Sequence, residues 1–171
     1  MNYFGLSLND MSGSQQTDVF PSNRPRQPLS IRAWLSVIRT YKTCTPLLTA
    51  RLRTLDLTVA QHETLAHLLI EDGVSQQTLA ARLLVTKGNL TGLLNRLAER
   101  GLIERRPDPS DGRVNLIVLT AAGRALAAEA DALQRTYVAE MVSPLSETQQ
   151  TDLHAMMKAI EAQLLPMDEA R

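Results

Sequence analysis

The chain has 171 residues, no formal net charge, 44% hydrophobic residues and only 4% aromatic ones. That length suits one domain with room for a tail, and its leucine- and alanine-borne apolar content favours helices over a sheet-built core. A single cysteine, Cys44, excludes an internal disulfide; no apolar run reaches the length of a membrane span, and the N-terminus lacks the pattern of a signal peptide. The expectation is a soluble, cytoplasmic protein with no membrane partner. The balanced charge hides an asymmetry. Residues 75–113 hold seven basic side chains against four acids, whereas residues 120–171 hold four bases against eight acids. Such a distribution points to a polyanion met by the central region alone.

Residues 1–27 read as a disordered tail, rich in small polar residues and spaced prolines. From Ser30 onward Ile31, Trp34, Leu35, Ile38, Tyr41, Leu48, Leu52 and Leu55 follow a helical period, with Pro46 predicting a kink near residues 42–46. Thr58 and Gln61 have capping-box spacing at the start of a second helix, which Asp72-Gly73 ends. Ser75 caps a short third helix, and Thr86 a fourth with Leu90, Leu93, Leu94 and Leu97 inward. Gly101 supplies the left-handed residue that stops it. Two short strands, residues 102–106 and 114–119, flank the turn-rich loop Pro107-Asp108-Pro109-Ser110-Asp111-Gly112-Arg113. Thr120 caps a fifth helix with Leu126, Ala130, Leu133, Tyr137 and Met141 along one side. Pro144 interrupts the chain, and Ser146 with Gln149 opens a sixth carrying Leu153, Met156, Met157, Ile160 and Leu164. The predicted order is H-H-H-H-β-β-H-H, mainly α with a small β-wing. The regions are a helix over 28–57, a winged helix-turn-helix over 58–119 and C-terminal helices over 120–171.

The chemistry lies in residues 75–119. The outward face of the fourth helix carries Lys87, Asn89, Thr91, Asn95 and Arg96. Asparagine matches adenine edges and Lys or Arg matches guanine O6 and N7. Thr86, Thr91 and the free amides of a helix start suit phosphates. Gly88 and Gly92 each weaken a helix by roughly 1 kcal/mol relative to Ala, which is reasonable where the backbone approaches another surface. A projecting Arg113 suits the narrow, negative minor groove, with Asp111 expected to steady an arginine.

These residues resemble the MarR family of winged-helix regulators. The resemblance rests on Ser75-Gln76-Gln77-Thr78-Leu79-Ala80, Val85-Thr86-Lys87-Gly88-Asn89-Leu90-Thr91, Arg100-Gly101-Leu102-Ile103, Asp111-Gly112-Arg113 and Leu119-Thr120-Ala121-Ala122-Gly123. It covers about residues 29–165 and implies a homodimer held by the first and last helices on a pseudo-palindromic operator. Helix 86–100 is then expected in the major groove and Arg113 in the minor groove, with the two reading helices about 34–36 Å apart. The expected DNA contacts are Ser75, Gln76, Gln77, Thr86, Lys87, Gly88, Asn89, Thr91, Asn95, Arg96, Arg105, Asp111 and Arg113. Apolar residues on the outer helices, Trp34, Leu35, Leu153, Met157, Ile160 and Leu164, exceed what one small winged core needs and can pack across a two-fold axis. The family also implies repression released by a small, often aromatic, ligand, for which Trp34, Arg39, Tyr41, His62 and His67 are the candidate contacts.

Other chemistries find less support. His62, Glu63 and His67 miss the zinc-protease pattern, since the histidines are five apart and so about 140° apart around a helix. His62 and His67 are expected as a partly exposed pair, one of them near the helix interface. No catalytic set, metal site or cofactor motif is present, so an enzyme is not expected. Redox sensing through Cys44 is an alternative, as is a protein-interaction module that has lost DNA binding. The family's peroxide-sensing position falls on Trp34, about three turns away, and the basic face of 86–113 disfavours the interaction module.

Overall fold

A computed structural model describes residues 27–169, with side chains as far as Leu164. The tail expected over 1–27 lies almost wholly outside the described residues. The chain falls into two compact units, one ending at Thr40 and the other running from Tyr41. The boundary lies within the first helix, α1 (Leu29–Leu52). In the first unit α1 exposes Leu29, Ile31 and Trp34.

The second unit holds the rest of the fold. α1 continues unbroken through Pro46, where the carbonyl of Lys42 loses its amide donor. One residue before Lys42, the Tyr41 carbonyl accepts from both the Thr45 hydroxyl and the Cys44 thiol. A short 3₁₀ turn (Arg53–Leu55) then leads to α2 (Val59–Ile70). The capping box predicted at Thr58 and Gln61 is formed in both directions. After α2 come α3 (Gln76–Arg82), α4 (Lys87–Glu99), α5 (Ala121–Val142) and α6 (Glu147–Glu169). Ser146 and Gln149 cap α6 reciprocally, as their spacing predicts.

The sheet has three strands where the sequence predicts two. β1 (Val74–Ser75), β2 (Ile103–Pro107) and β3 (Asn115–Leu119) form an antiparallel sheet of order β1-β3-β2. β1 is too short to show a period of two. It exists because Val74 and Ser75 find partners in Ile117 and Leu116. In the wing hairpin, Ile103 pairs with Leu119 and Pro107 with Asn115.

The core is mostly leucine. Leu52, Leu65, Leu68, Leu79, Leu90, Leu94, Leu97 and Ile117 are fully buried. Each such side chain contributes about 1.5–3 kcal/mol when removed from water. Buried Ala127 and Ala130 keep one face of α5 slim, which lets α2 pack closely along it. His62 sits fully buried in α2, with its Nε2 against Gln134 Oε1 of α5 and its Nδ1 without a partner among the described residues. Of the two histidines, His62 is the one at the helix interface, but it is fully buried rather than partly exposed, while His67 is half-buried as expected. Along α6, Leu153, Met156, Met157, Ile160 and Leu164 are exposed.

Tyr137 ties α5 to the end of α1. Its hydroxyl donates to the Cys44 carbonyl at 2.9 Å, and its ring lies under the Arg51 guanidinium, 4.9 Å from ring centroid to Cζ. Arg51 also pairs with Glu140 at 2.5 Å. Burial, then the neighbouring Cys44, raises the phenol above its ordinary pKa of 10.0, against a smaller opposing pull from Arg51. A raised phenol pKa means the folded state favours the neutral form. Its contribution is complete below the ordinary phenol range and is lost as pH rises through it. Tyr137→Phe is expected to cost about 1 kcal/mol at neutral pH in a urea melt and to reduce the alkaline loss of stability.

Candidate nucleic-acid interface

The site is built on α3, α4 and the wing. Ser75 caps α3 by accepting the Thr78 amide at 3.1 Å, and Thr86 caps α4 by accepting the Asn89 amide at 3.3 Å. Between the helices Leu84 takes a left-handed backbone, φ 53°, where glycine is the usual occupant. Leu84 N–H donates to Ala81 and Val85 N–H to Ala80, closing the end of α3. Buried Leu90, Leu94 and Leu97 fix the inner face of α4. That packing leaves Lys87, Gly88, Asn89, Thr91, Asn95 and Arg96 exposed around the remainder of the helix. A Cβ added at Gly88 or Gly92 would meet nothing within 4 Å, so no contact among the described residues requires glycine at either position.

Four of the expected contact residues are joined in two pairs across different elements. Gln76 Nε2 donates to Thr91 Oγ1 at 2.6 Å, and Thr91 Oγ1 donates to the Lys87 carbonyl. Arg105 Nη2, from β2, donates to Asn95 Oδ1 at 2.8 Å. These bonds orient the outward side chains and join α4 to α3 and the wing. Ser75 and Gln76 are half-buried, and Gln77 is exposed on α3.

Arg113 is exposed in the wing loop. The role expected of Asp111 is corrected: its Oδ1 accepts the backbone amide of Arg113 at 3.0 Å, so it shapes the turn and holds no guanidinium. Asp108 does similar work, accepting both the hydroxyl and the amide of Ser110. The hydroxyl bond first, then the amide bond, lowers its carboxyl below the usual range.

Charge is unevenly neutralised. Arg82, Arg100 and Arg106 pair with Glu71, Asp56 and Glu104. Among the described residues, Lys87, Arg96, Arg105 and Arg113 have no carboxylate within 4.0 Å. Uncompensated cations on an amide-bearing helix face match a polyanion with readable edges.

Trp34 and Tyr41 are 53% and 65% exposed, and Arg39 is exposed with its Nε donating to the Leu35 carbonyl. Cys44 is half-buried.

Sequence periodicity missed Asp72. Its Oδ1 accepts the amides of Gly73 and Leu119 at 3.1 and 2.9 Å, and its other oxygen pairs with Arg124. It thereby joins the end of α2, the end of β3 and the start of α5. The Asp-Gly pair was visible only as a helix stop, because the partners lie 47 and 52 residues away.

A helix pair with a capped outer helix, followed by a hairpin projecting an arginine, defines the winged helix-turn-helix class of DNA-binding proteins. The MarR family model matches residues 55–114. HTH-type transcriptional repressor Rv2887 of Mycobacterium tuberculosis is 32% identical over 115 residues, covering 67% of this chain and 83% of that protein. The chain belongs to the MarR family of transcriptional regulators and is not an enzyme. The multiple antibiotic resistance protein MarR of Escherichia coli is 38% identical over 80 residues, covering 47% of this chain and 56% of that one. Among solved structures, the transcriptional repressor CouR bound to a 23-mer DNA duplex aligns with a TM-score of 0.73 and 27% identity, over 82% of this chain and 99% of that one.

Proposed function

We propose that this chain represses transcription as a homodimer, laying α4 in successive major grooves of a pseudo-palindromic operator and Arg113 in the adjacent minor groove. The observation that carries this reading is the uncompensated charge of the helix pair and wing: among the described residues Lys87, Arg96, Arg105 and Arg113 have no carboxylate within 4.0 Å, and Asn89 is exposed on the same helix as the first two. Relatives described as a transcriptional repressor and as a repressor bound to a DNA duplex support it. So does a complex of Escherichia coli MarR with operator DNA, 27% identical with a TM-score of 0.70 over 77% of this chain and 94% of that one. The exposed apolar stripe of α6 and the exposed side chains at the start of α1 are each surfaces for a second copy.

A mobility-shift titration against the DNA upstream of the chain's own gene tests this. Binding is expected to strengthen steeply as salt falls. Arg113→Ala and Asn89→Ala are each expected to cost about 1–3 kcal/mol of specific affinity. Parent-like binding by both variants contradicts the assignment. A small aromatic effector would release the DNA; the exposed indole of Trp34 and the exposed phenol of Tyr41 are each an aromatic surface available to it. A simple aromatic carboxylate such as benzoate is then expected to dissociate the shifted complex, and a complex indifferent to a panel of aromatic acids contradicts this.

A further inference from the structure

On α4, Thr91 and Asn95 form one i,i+4 row and Arg96 and Arg100 form another, about 140° further round the helix. Gly88 and Gly92 fall between the rows. The first row is hydrogen-bonded to α3 and to the wing through Gln76 and Arg105. The second row borders an open cavity of about 410 Å³. Arg53 of the 3₁₀ turn reaches the same cavity, whose remaining wall includes Thr58, at the start of α2.

The charges in this cavity are not all spoken for. Arg100 donates to the Asp56 carbonyl at 2.7 Å and approaches its carboxylate at 3.3 Å. Arg53 and Arg96 have no carboxylate within 4.0 Å among the described residues, although Glu99 is also in the lining. Three guanidinium groups against two carboxylates leave one net positive charge. Thr58 Oγ1 accepts only the Gln61 amide, so the first amides of α2 still lack a side-chain cap.

A helix about 10–12 Å across fills a major groove about 12 Å wide. A recognition helix sets its N-terminal residues, here Asn89, against base edges, which leaves the later part of the same flank, carrying Arg96 and Arg100, to run along a phosphate ridge. We infer that the cavity bounded by Arg53, Arg96 and Arg100 is an oxyanion site that takes a backbone phosphate of the duplex read by α4. This rests on the DNA-binding reading above and extends it to a residue outside the helix-turn-helix. Arg53 supplies a sequence-independent grip, and Arg100, held by Asp56, positions the wall.

The test is duplex binding by the full-length chain carrying Arg53→Gln, across a series of salt concentrations. Arg53 is exposed, so the substitution leaves the core untouched. The expected result is binding weakened by about three- to tenfold, equally across operator base variants, with the slope of log K against log salt shallower by about 0.9 per protomer. A slope equal to the parent's overturns the inference, as does a loss confined to particular base pairs. If the slope is unchanged but inorganic phosphate protects the parent from thermal unfolding and not Arg53→Gln, the occupant is a free oxyanion and the duplex assignment fails. If Asn89→Ala weakens binding and Arg53→Gln does not, the DNA-binding reading stands and only this inference falls. A parent that binds no duplex overturns both.

Discussion

Gly123→Ala is expected to destabilise the chain by about 3 kcal/mol, lowering the melting temperature by about 6–12 °C at fixed protein concentration. Gly123 is the third residue of α5, and its amide donates to the Thr120 hydroxyl at 2.9 Å. A Cβ there would run into the Leu102 carbonyl oxygen and carbon. These are backbone atoms, so no rotamer change relieves the overlap. The same carbonyl accepts the Thr120 amide at 3.1 Å, and Thr120 Oγ1 donates to the Gly101 carbonyl at 2.7 Å. Moving α5 away therefore loosens the helix cap and the turn after α4, where Gly101 holds a left-handed φ of 67°. Gly92→Ala provides the contrast. Its Cβ meets open space, so the substitution is expected to leave the fold equally stable or to strengthen it by up to about 1 kcal/mol. Equal melting shifts for the two substitutions would contradict this account of the junction.

Asp72→Ala is the second large effect, expected to cost about 2–4 kcal/mol in chemical denaturation. Two competing explanations differ in size. The ion pair with Arg124 is formed by a side chain 51% exposed, so it is worth about 1 kcal/mol at most. The bond to the Leu119 amide is at the end of β3, beside a side chain only 5% exposed, and its loss leaves a donor without a partner. Arg124→Ala is therefore expected to cost much less than Asp72→Ala. Asp72→Asn keeps one acceptor oxygen and should fall between them. Equal losses for Asp72→Ala and Arg124→Ala would assign the effect to the ion pair instead.

The parts of the fold that could be read before any coordinates were those fixed by residues three or four apart. Thr58 with Gln61, Ser146 with Gln149, and the caps at Thr86 and Thr120 are contacts between near neighbours, and the structure forms each one. The leucine stripe of α4 is local in the same sense. What escaped notice depends on distant partners. Strand β1 owes its existence to β3, more than 40 residues later. Gln76–Thr91 and Arg105–Asn95 join residues fifteen and ten apart on different elements. Asp111 shows the reverse error, because a long side-chain partner was expected where a bond to an amide two residues away forms instead. Periodicity puts one histidine of α2 near a helix interface but does not show that an alanine-lined α5 approaches closely enough to bury His62 completely. At the interface itself, residue types on the outer face of α4 identified the chemistry, while the cavity shared with Arg53 required the turn after α1 to be placed in space.

Operator recognition is best tested by substituting each base pair of one half-site in turn and measuring affinity for the parent and for Asn89→Ala. If the outer face of α4 reads bases, the parent should lose about 1–3 kcal/mol at a few adjacent positions, and Asn89→Ala should become indifferent at one of them while discriminating normally elsewhere. An Asn89→Ala profile that matches the parent at every position, shifted only by a uniform loss, would mean that this face contacts no base.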